Sequence, residues 1–364
     1  MSRPTKISID LSAIRANCQL VQTLAGASKI VAVIKADAYG HGAVEVAKAI
    51  QQQVHMLTVT CLDEALELRA AGLSKPILLL EGCFTEQEIT LAAANHCELV
   101  LHSDVQIQQL LDSRLKTPIN VWLKIDTGMH RLGIMPEDAS GNYARLQGSQ
   151  NVNNIVLMTH FSSADNLQAA YTPEQLRCFE LCLQELSLHQ GQNIEVSMAN
   201  SAALLAWPQS HADWVRPGIM LYGVSPFSTA HAPANRLIPA MTFTSQVIAL
   251  RQIVSGESVG YGNTWTATRP SKIATIAVGY GDGYPRNAKS GTPVYINGQI
   301  VPLVGRVSMD LISVDVTDLK DIKLEDTVEL WGKNLPVNLI AKHADTIGYE
   351  LVTRMPSRVQ RHYL

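Results

Sequence analysis

Charge of either sign is scarce in this 364-residue chain, with Asp, Glu, Lys and Arg together at 17%, below the quarter or so of ordinary globular proteins. The signs nearly balance, 29 basic against 32 acidic residues for a formal net charge of −3. No basic face large enough to neutralise many phosphates is expected at that balance, so nucleic acid is a poor candidate partner. Long apolar runs are also missing. Segments such as Ile30–Ile34 and Pro76–Leu80 fall far short of the roughly 20 residues that a membrane span requires. The opening Met1-Ser2-Arg3-Pro4-Thr5-Lys6 leads into no apolar signal segment. Cysteine is absent after Cys182, and Cys18, Cys61, Cys83, Cys97, Cys178 and Cys182 read as reduced thiols of a cytoplasmic protein. Cys178 and Cys182 stand four apart on an expected helix with no second pair nearby. They read as a partly buried helix face, and no metal is expected. Apolar residues are abundant at 46%, which suits a large buried core and opposes disorder.

The length, about two and a half times the roughly 150 residues of a usual domain, fits one long barrel or two domains. Short β-rich runs alternate with helical spacing from Ile30 to Arg216. Strands are expected at Ile30–Ile34, His55–Thr60, Pro76–Leu80, Glu98–His102, Ile119–Ile125, Ile155–His160, Ile194–Met198 and Asp213–Val215. Helices are expected between them, for example at Ala43–Gln53, Leu62–Ala71, Thr85–Asn95 and Pro173–Gln190. Thr85 with Glu88 forms a capping-box pattern, Ser103 or Asp104 can cap the next helix, and Gly72 sits where a helix would end. Eight strands with helical crossovers predict an α/β fold, an eight-stranded βα (TIM-type) barrel. An open doubly wound sheet is the competing solution, and the lack of a Gly-x-Gly-x-x-Gly after the first strand counts against its dinucleotide-binding version.

Beyond about Leu237 the pattern turns β-rich, with strands expected at Met241–Leu250, Lys272–Val278, Val294–Ile296, Gln299–Val304, Ile312–Val316 and Thr327–Trp331. Asn297-Gly298 signals a hairpin, and helical spacing returns only at Asn338–Ile347. The expected division is therefore a barrel over 1–233 and a mostly-β C-terminal domain over 234–364. Lys6–Ile9 is a further strand that could pair with either.

Functional groups of a βα barrel gather where strands end at the C-terminal face. Those positions hold Lys35 after strand one, Arg131 after strand five, His160 at the end of strand six, Ser201 after strand seven and Arg216-Pro217-Gly218 after strand eight. Ser201 and the amides near Gly218 suit an anion, so the pattern predicts a phosphate clamp facing a lysine across the barrel mouth. Val31, Val33 and Lys35 share one side of the pleat, which would direct the lysine into the barrel and lower its pKa by desolvation. A lysine that reaches back to solvent or pairs with Asp37 is the plainer alternative. His160 could be a satisfied core histidine, Tyr261 and Tyr284 could cover a sheet edge, and Met309 taken alone reads as core packing.

The words around these positions decide among such readings. Val33-Ile34-Lys35-Ala36-Asp37-Ala38-Tyr39-Gly40-His41-Gly42 resembles the pyridoxal-phosphate signature of bacterial alanine racemases. Lys124–Gly133, Met158–Phe161, Ala199–Ala202 and Val215–Gly223 follow in that family's order. Val259–Gly262, Val278–Arg286 and Gly305–Asp310 continue it through the second domain. The resemblance implies a pyridoxal-phosphate-dependent isomerase that interconverts L- and D-alanine, a homodimer whose sites are completed by the partner chain. It implies that Lys35 holds the cofactor as a Schiff base, with Tyr39, Ser201, Gly218, Ile219 and Tyr349 around its phosphate. Arg216 would donate to the pyridine nitrogen with His160 bonded behind it. Arg131 would meet the cofactor's phenolic oxygen and the substrate carboxylate. Tyr261 and Met309 would reach in from the other subunit, and Tyr284 would line the substrate entrance.

Racemisation needs one base on each face of the α-carbon, and Lys35 with Tyr261 would be that pair. Some family members carry a carbamylated lysine at the position of Lys124, for which a plain ion pair with Asp126 or another acid is the alternative. A broader-specificity racemase remains a second reading. A non-catalytic pyridoxal-phosphate-binding protein would resemble the barrel alone. A decarboxylase of the same two-domain build would need a cysteine in its second domain, which this chain lacks. The product would serve as D-alanine for peptidoglycan or as L-alanine for catabolism, because the reaction is symmetric.

Overall fold

The structure, a computed structural model, describes residues 3–190 and 194–364. Met1 and Ser2, which open the segment read above for a signal, lie outside the described residues. Strand β1 spans Lys6–Ile9. Strands β2 (Lys29–Val33), β3 (Met56–Val59), β4 (Ile77–Leu79), β5 (Cys97–Leu101), β6 (Ile119–Lys124), β7 (Val152–Met158), β8 (Glu195–Ser197) and β9 (Trp214–Val215) follow and close in that order into a parallel barrel. All residues of β3 and β4 are buried, as expected of parallel strands covered on both faces.

Inside the barrel, Val31, Met56, Leu78, Val100, Trp122, Val156, Met158 and Trp214 form one packed cluster. The alternate residues, such as Ala32, Leu57 and Leu79, pack outward among the helices. At the N-terminal end, Trp122 Nε1 donates to Glu98 at 2.7 Å, and Lys29 pairs with Glu195 at 2.7 Å while lying 4.6 Å over the Trp214 ring. That end is plugged, so the C-terminal mouth is where a ligand can enter. The Thr85 hydroxyl caps the helix Glu86–Ala94, and Glu88 accepts from the amide of Phe84. Ser103, not Asp104, caps the next helix.

The second domain begins with the long strand β10 (Met241–Ile253), then β11 (Ser258–Val259), β12 (Trp265–Thr266), β13 (Ser271–Ile276), β14 (Pro293–Ile296), β15 (Gln299–Pro302), β16 (Ile312–Asp315), β17 (Thr327–Trp331) and β18 (Gln360–Tyr363). Its main sheet runs β15-β14-β17-β10-β1-β18, and β13 joins β10 to β16. The amino-terminal strand therefore belongs to this sheet, antiparallel to β10 and parallel to β18. Ile7 and Ile9 are fully buried there, which locks the first residues into a domain otherwise built from the end of the chain. Asn17, on the first barrel helix, donates to the carbonyls of Leu221 and Ile238 and accepts from the Ile238 amide, pinning the crossover between the domains. Asn297 and Gly298 have φ of +48° and +83°, the two left-handed positions of a type I′ hairpin.

The helix expected over Asn338–Ile347 is observed at Val337–His343, and a second, unexpected helix follows at Gly348–Thr353. Asp345 turns left-handed between them, at φ +56°. The break redirects the second helix so that Tyr349 reaches the barrel mouth. Among the described residues no helix is long and apolar enough to cross a membrane.

Candidate active site

A cavity of about 660 Å³ opens at the C-terminal mouth of the barrel, roofed by the helix Gly348–Thr353. Lys35, Tyr39, Lys124, Arg131, His160, Ser201, Arg216, Gly218, Ile219 and Tyr349 all line it. Five barrel strands and a helix of the second domain thus bring together residues up to 314 positions apart (349 − 35).

The chain leaves β2 through an unusual turn. Ala36, Asp37, Ala38 and Tyr39 all adopt left-handed backbone, with φ between +51° and +53°. Such a conformation costs L-residues roughly 1–2 kcal/mol each, so the four together store about 4–8 kcal/mol that the surroundings must supply. Lys35 and Tyr39 stand at the two ends of this turn. Glu64 accepts the Ala36 amide with one carboxylate oxygen and the Thr60 amide with the other, both at 2.7 Å. Asp37 does not pair with Lys35; it pairs with Arg361 at 3.0 Å. The His41 ring stacks on Tyr222 at 4.5 Å, and Tyr39 lies 5.1 Å from the same ring. The Tyr222 hydroxyl donates to the Val33 carbonyl, so an aromatic layer floors the turn.

Beside Tyr39 the loop after β9 is built for an anion. The Gly218 amide donates to Ser201 Oγ at 2.8 Å, and the Met220 amide approaches the same oxygen at 3.4 Å. A Cβ at Gly218 would lie 2.7 Å from the Tyr39 hydroxyl, so only glycine leaves this cradle open. Two hydroxyls and the amides at the start of a 3₁₀ turn (Ile219–Tyr222) converge there.

The charge in the cavity is one-sided. Lys35, Lys124, Arg131 and Arg216 line it, opposed by Glu81 and Glu350 at its rim. Burial lowers the Lys35 amine below the usual lysine range, and Arg131 lowers it further, partly offset by Glu81 and Glu64. Burial, then Arg216 and Arg131, bring Lys124 down from 10.5 to about 8. Burial and the same cations hold the His160 ring well below its ordinary value and therefore neutral. Arg216 falls only to about 10 on burial, so it keeps its charge at neutral pH. Its guanidinium donates to Ser197 Oγ at 2.6 Å and to the carbonyls of Thr159 and Met198 at 2.6 and 3.3 Å.

Several expectations need correction. No hydrogen bond joins His160 to Arg216 among the described residues; the arginine's Nη1 and Nη2 donate to the three oxygens just named. Lys124 forms no ion pair with Asp126 among the described residues, because that carboxylate accepts from the Gly128 and His130 amides and faces the His130 ring. Tyr284 cannot line an entrance in this chain: it is 1% exposed and stacks on Trp331 inside the second domain. The exposed tyrosine of that loop is Tyr280, four residues earlier. Met309 is not core either. It is 53% exposed, and Tyr261 is 69% exposed, both away from the cavity of their own chain. Glu64, Tyr222 and Arg361 went unseen in the sequence, since nothing in their spacing tells which backbone group they would meet. A buried glutamine was also missed: Gln175 ties Thr127, the His160 carbonyl and Ser162 together, joining the loops that carry Arg131 and His160.

Comparison with known proteins agrees with this architecture over the whole chain. The family described as alanine racemase, N-terminal domain, matches residues 9–226, and alanine racemase, C-terminal domain, matches residues 240–363. The second match removes the barrel-only alternative. The alanine racemase of Pseudoalteromonas atlantica is 52% identical with all of both chains covered. The catabolic alanine racemase of Pseudomonas putida is 47% identical over all of this chain and 99% of its own. Among solved structures, the biosynthetic alanine racemase of Pseudomonas aeruginosa superposes with a TM-score of 0.94 at 45% identity, covering 100% of this chain and 99% of the other. On these grounds the chain belongs to the alanine racemase family.

Proposed function

We propose that this protein interconverts L- and D-alanine with pyridoxal 5'-phosphate, and that two copies of the chain complete each other's sites. The observation that carries the cofactor assignment is the donor set of one cavity: an amine of lowered pKa, an anion cradle and a permanently charged arginine. The volume of about 660 Å³ lies within the range of small-molecule sites. Tyr39, Ser201, Gly218, Ile219 and Tyr349 would hold the phosphate, and Lys35 would hold the aldehyde carbon. When bound, the cofactor supplies an electron sink for the pair left at the α-carbon once its proton departs.

The chain's own groups do the rest. Lys35, whose amine burial and Arg131 bring below the usual lysine range, would take the proton on one face of the substrate. Tyr261 of the partner subunit would serve the other face. Its exposure together with Tyr280 and Met309 on the second domain leaves an apolar surface for a partner to cover. Arg131 would bind the substrate carboxylate. Arg216 would face the pyridine nitrogen as a fixed cation and keep it unprotonated, which limits side reactions. In this reading the barrel unit extends to about residue 233 and the unit over 234–364 supplies the second base. The direction of net flux follows alanine pools, consistent with relatives named both biosynthetic and catabolic. The test is L-alanine in deuterium oxide. Decay to an equal mixture with deuterium at the α-carbon supports the reading, and exchange with the L-form retained would leave only one working base.

Lys124 is proposed to become a carbamate. With Arg216, Arg131 and Lys35 as neighbours, its ammonium is out of place, while an amine that titrates near 8 is partly free to add carbon dioxide and release a proton. The resulting anion would face Arg131. The cost of the bare lysine has a definite sign. Its folded pKa lies below the unfolded value, so the unfolded chain holds the extra proton between pH 8 and 10.5, and stability rises with pH across that window. Below it the penalty is complete, about 3 kcal/mol. Cofactor-free Lys124→Met kept free of carbon dioxide is therefore expected to gain about that much in urea unfolding at pH 7, and nothing above pH 10.5. A carbon-13 carbamate signal that appears with labelled bicarbonate and vanishes in Lys124→Met would complete the test. Lower stability of the variant and no signal would refute the assignment.

A further inference from the structure

We propose that Arg361, on the last strand of the second domain, is a positioning residue that sets Lys35 and Tyr39 by clamping the left-handed turn between them. Arg361 Nε donates to the Gly40 carbonyl at 2.8 Å, immediately after the turn. Its Nη2 pairs with Asp37 Oδ2 at 3.0 Å, within the turn, and reaches the Met355 carbonyl at 3.4 Å. The other oxygen of Asp37 accepts the Ala43 amide at 2.8 Å, which joins the clamp to the helix Ala43–Ile50. Glu64 holds the opposite end at the Ala36 amide. The second domain also supplies a wall against this segment. A Cβ at Gly40 would stand 2.0 Å from the Val352 carbonyl, and one at Gly42 would stand 1.9 Å from the Tyr363 hydroxyl.

Four consecutive left-handed residues return to right-handed backbone unless they are held. Such a relaxation would displace the amine at one end and the phenol at the other, while Ser201 and Gly218 stay in place on other strands. The position of Arg361 is in turn fixed by β1, since Ile7 pairs with Arg361 in the sheet. The amino-terminal strand, the carboxy-terminal strand and the lysine turn thus form one connected unit. The second domain then has a role toward the site of its own chain, separate from any residue it lends to a partner.

This inference rests on Lys35 being the residue that takes the cofactor. Full-length Arg361→Ala, Arg361→Lys and Asp37→Asn are made cofactor-free and titrated with pyridoxal phosphate, read by the absorbance of the lysine-linked form. Acetic anhydride labelling of Lys35 without cofactor, normalised to exposed Lys320, gives a second readout that needs no loaded enzyme. Arg361→Ala and Asp37→Asn are each expected to weaken cofactor binding by about tenfold or more and to change Lys35 labelling. Arg361→Lys should recover part of both, and the double variant should be no worse than the worse single. If Arg361→Ala does not fold, Asp37→Asn decides alone, and wild-type values for it overturn the proposal. So does a fall in thermal stability with unchanged affinity and labelling, which is the signature of a merely structural pair. No lysine-linked form in the unaltered protein would overturn the cofactor reading itself, and this inference with it.

Discussion

Lys35→Ala is expected to lower the racemisation rate by about 10⁴-fold or more while leaving the protein folded, because under the proposed function it removes both the cofactor's anchor and one of the two bases. The fold has little reason to suffer. No hydrogen bond to the Lys35 ammonium occurs among the described residues, and burial already disfavours its charge. Compared cofactor-free, the variant should unfold no earlier than the unaltered protein, while polarimetry with either enantiomer shows almost no turnover. A rate within tenfold of the unaltered enzyme would remove Lys35 from the chemistry.

Tyr261→Phe should cost about 10²–10⁴-fold, the usual scale of one acid–base group. The loss should have a particular character: one enantiomer still exchanges its α-proton with solvent, but inversion fails. Because Tyr261 is exposed and does not line the cavity of its own chain, the two variants should complement each other. With sites shared as proposed, co-refolded Lys35→Ala and Tyr261→Phe chains would form mixed dimers in which one site carries both changes and the other carries neither. With random pairing, about a quarter of the original specific activity returns. Mixed dimers that are verified by mass yet inactive would show that Tyr261 acts, if at all, within its own chain.

The order of elements was legible because each barrel strand is a short buried run bounded by helical spacing, and every expected barrel strand overlaps an observed one within a few residues. Strand-end position alone singled out Lys35, Arg131, His160, Ser201 and Gly218, since a parallel barrel directs all strand ends to one mouth. Family motifs added Tyr39 and Tyr349, which no periodicity would have found. Chemistry that depends on a contact partner was not legible. The resemblance places His160 behind Arg216, and an ion pair with Asp126 is one alternative for Lys124, yet Arg216 bonds to Ser197 Oγ and two backbone carbonyls and Asp126 to its own loop. Tyr284 and Tyr280 are both tyrosines of one glycine-rich run, and only packing on Trp331 buries the first and leaves the second outside.

The sequence by itself determined the barrel, the β-rich second domain, the residue types at the mouth and the family. Those follow from hydrophobic periodicity and from motifs, which are properties of segments. The tertiary structure alone decided that Lys6–Ile9 completes the distant sheet, that four residues after Lys35 turn left-handed, and that Arg361 and Glu64 hold them there. Strain of that kind is stable only when groups far apart in the chain meet around it. No local pattern records such a meeting, because the same residues in isolation would prefer the right-handed backbone.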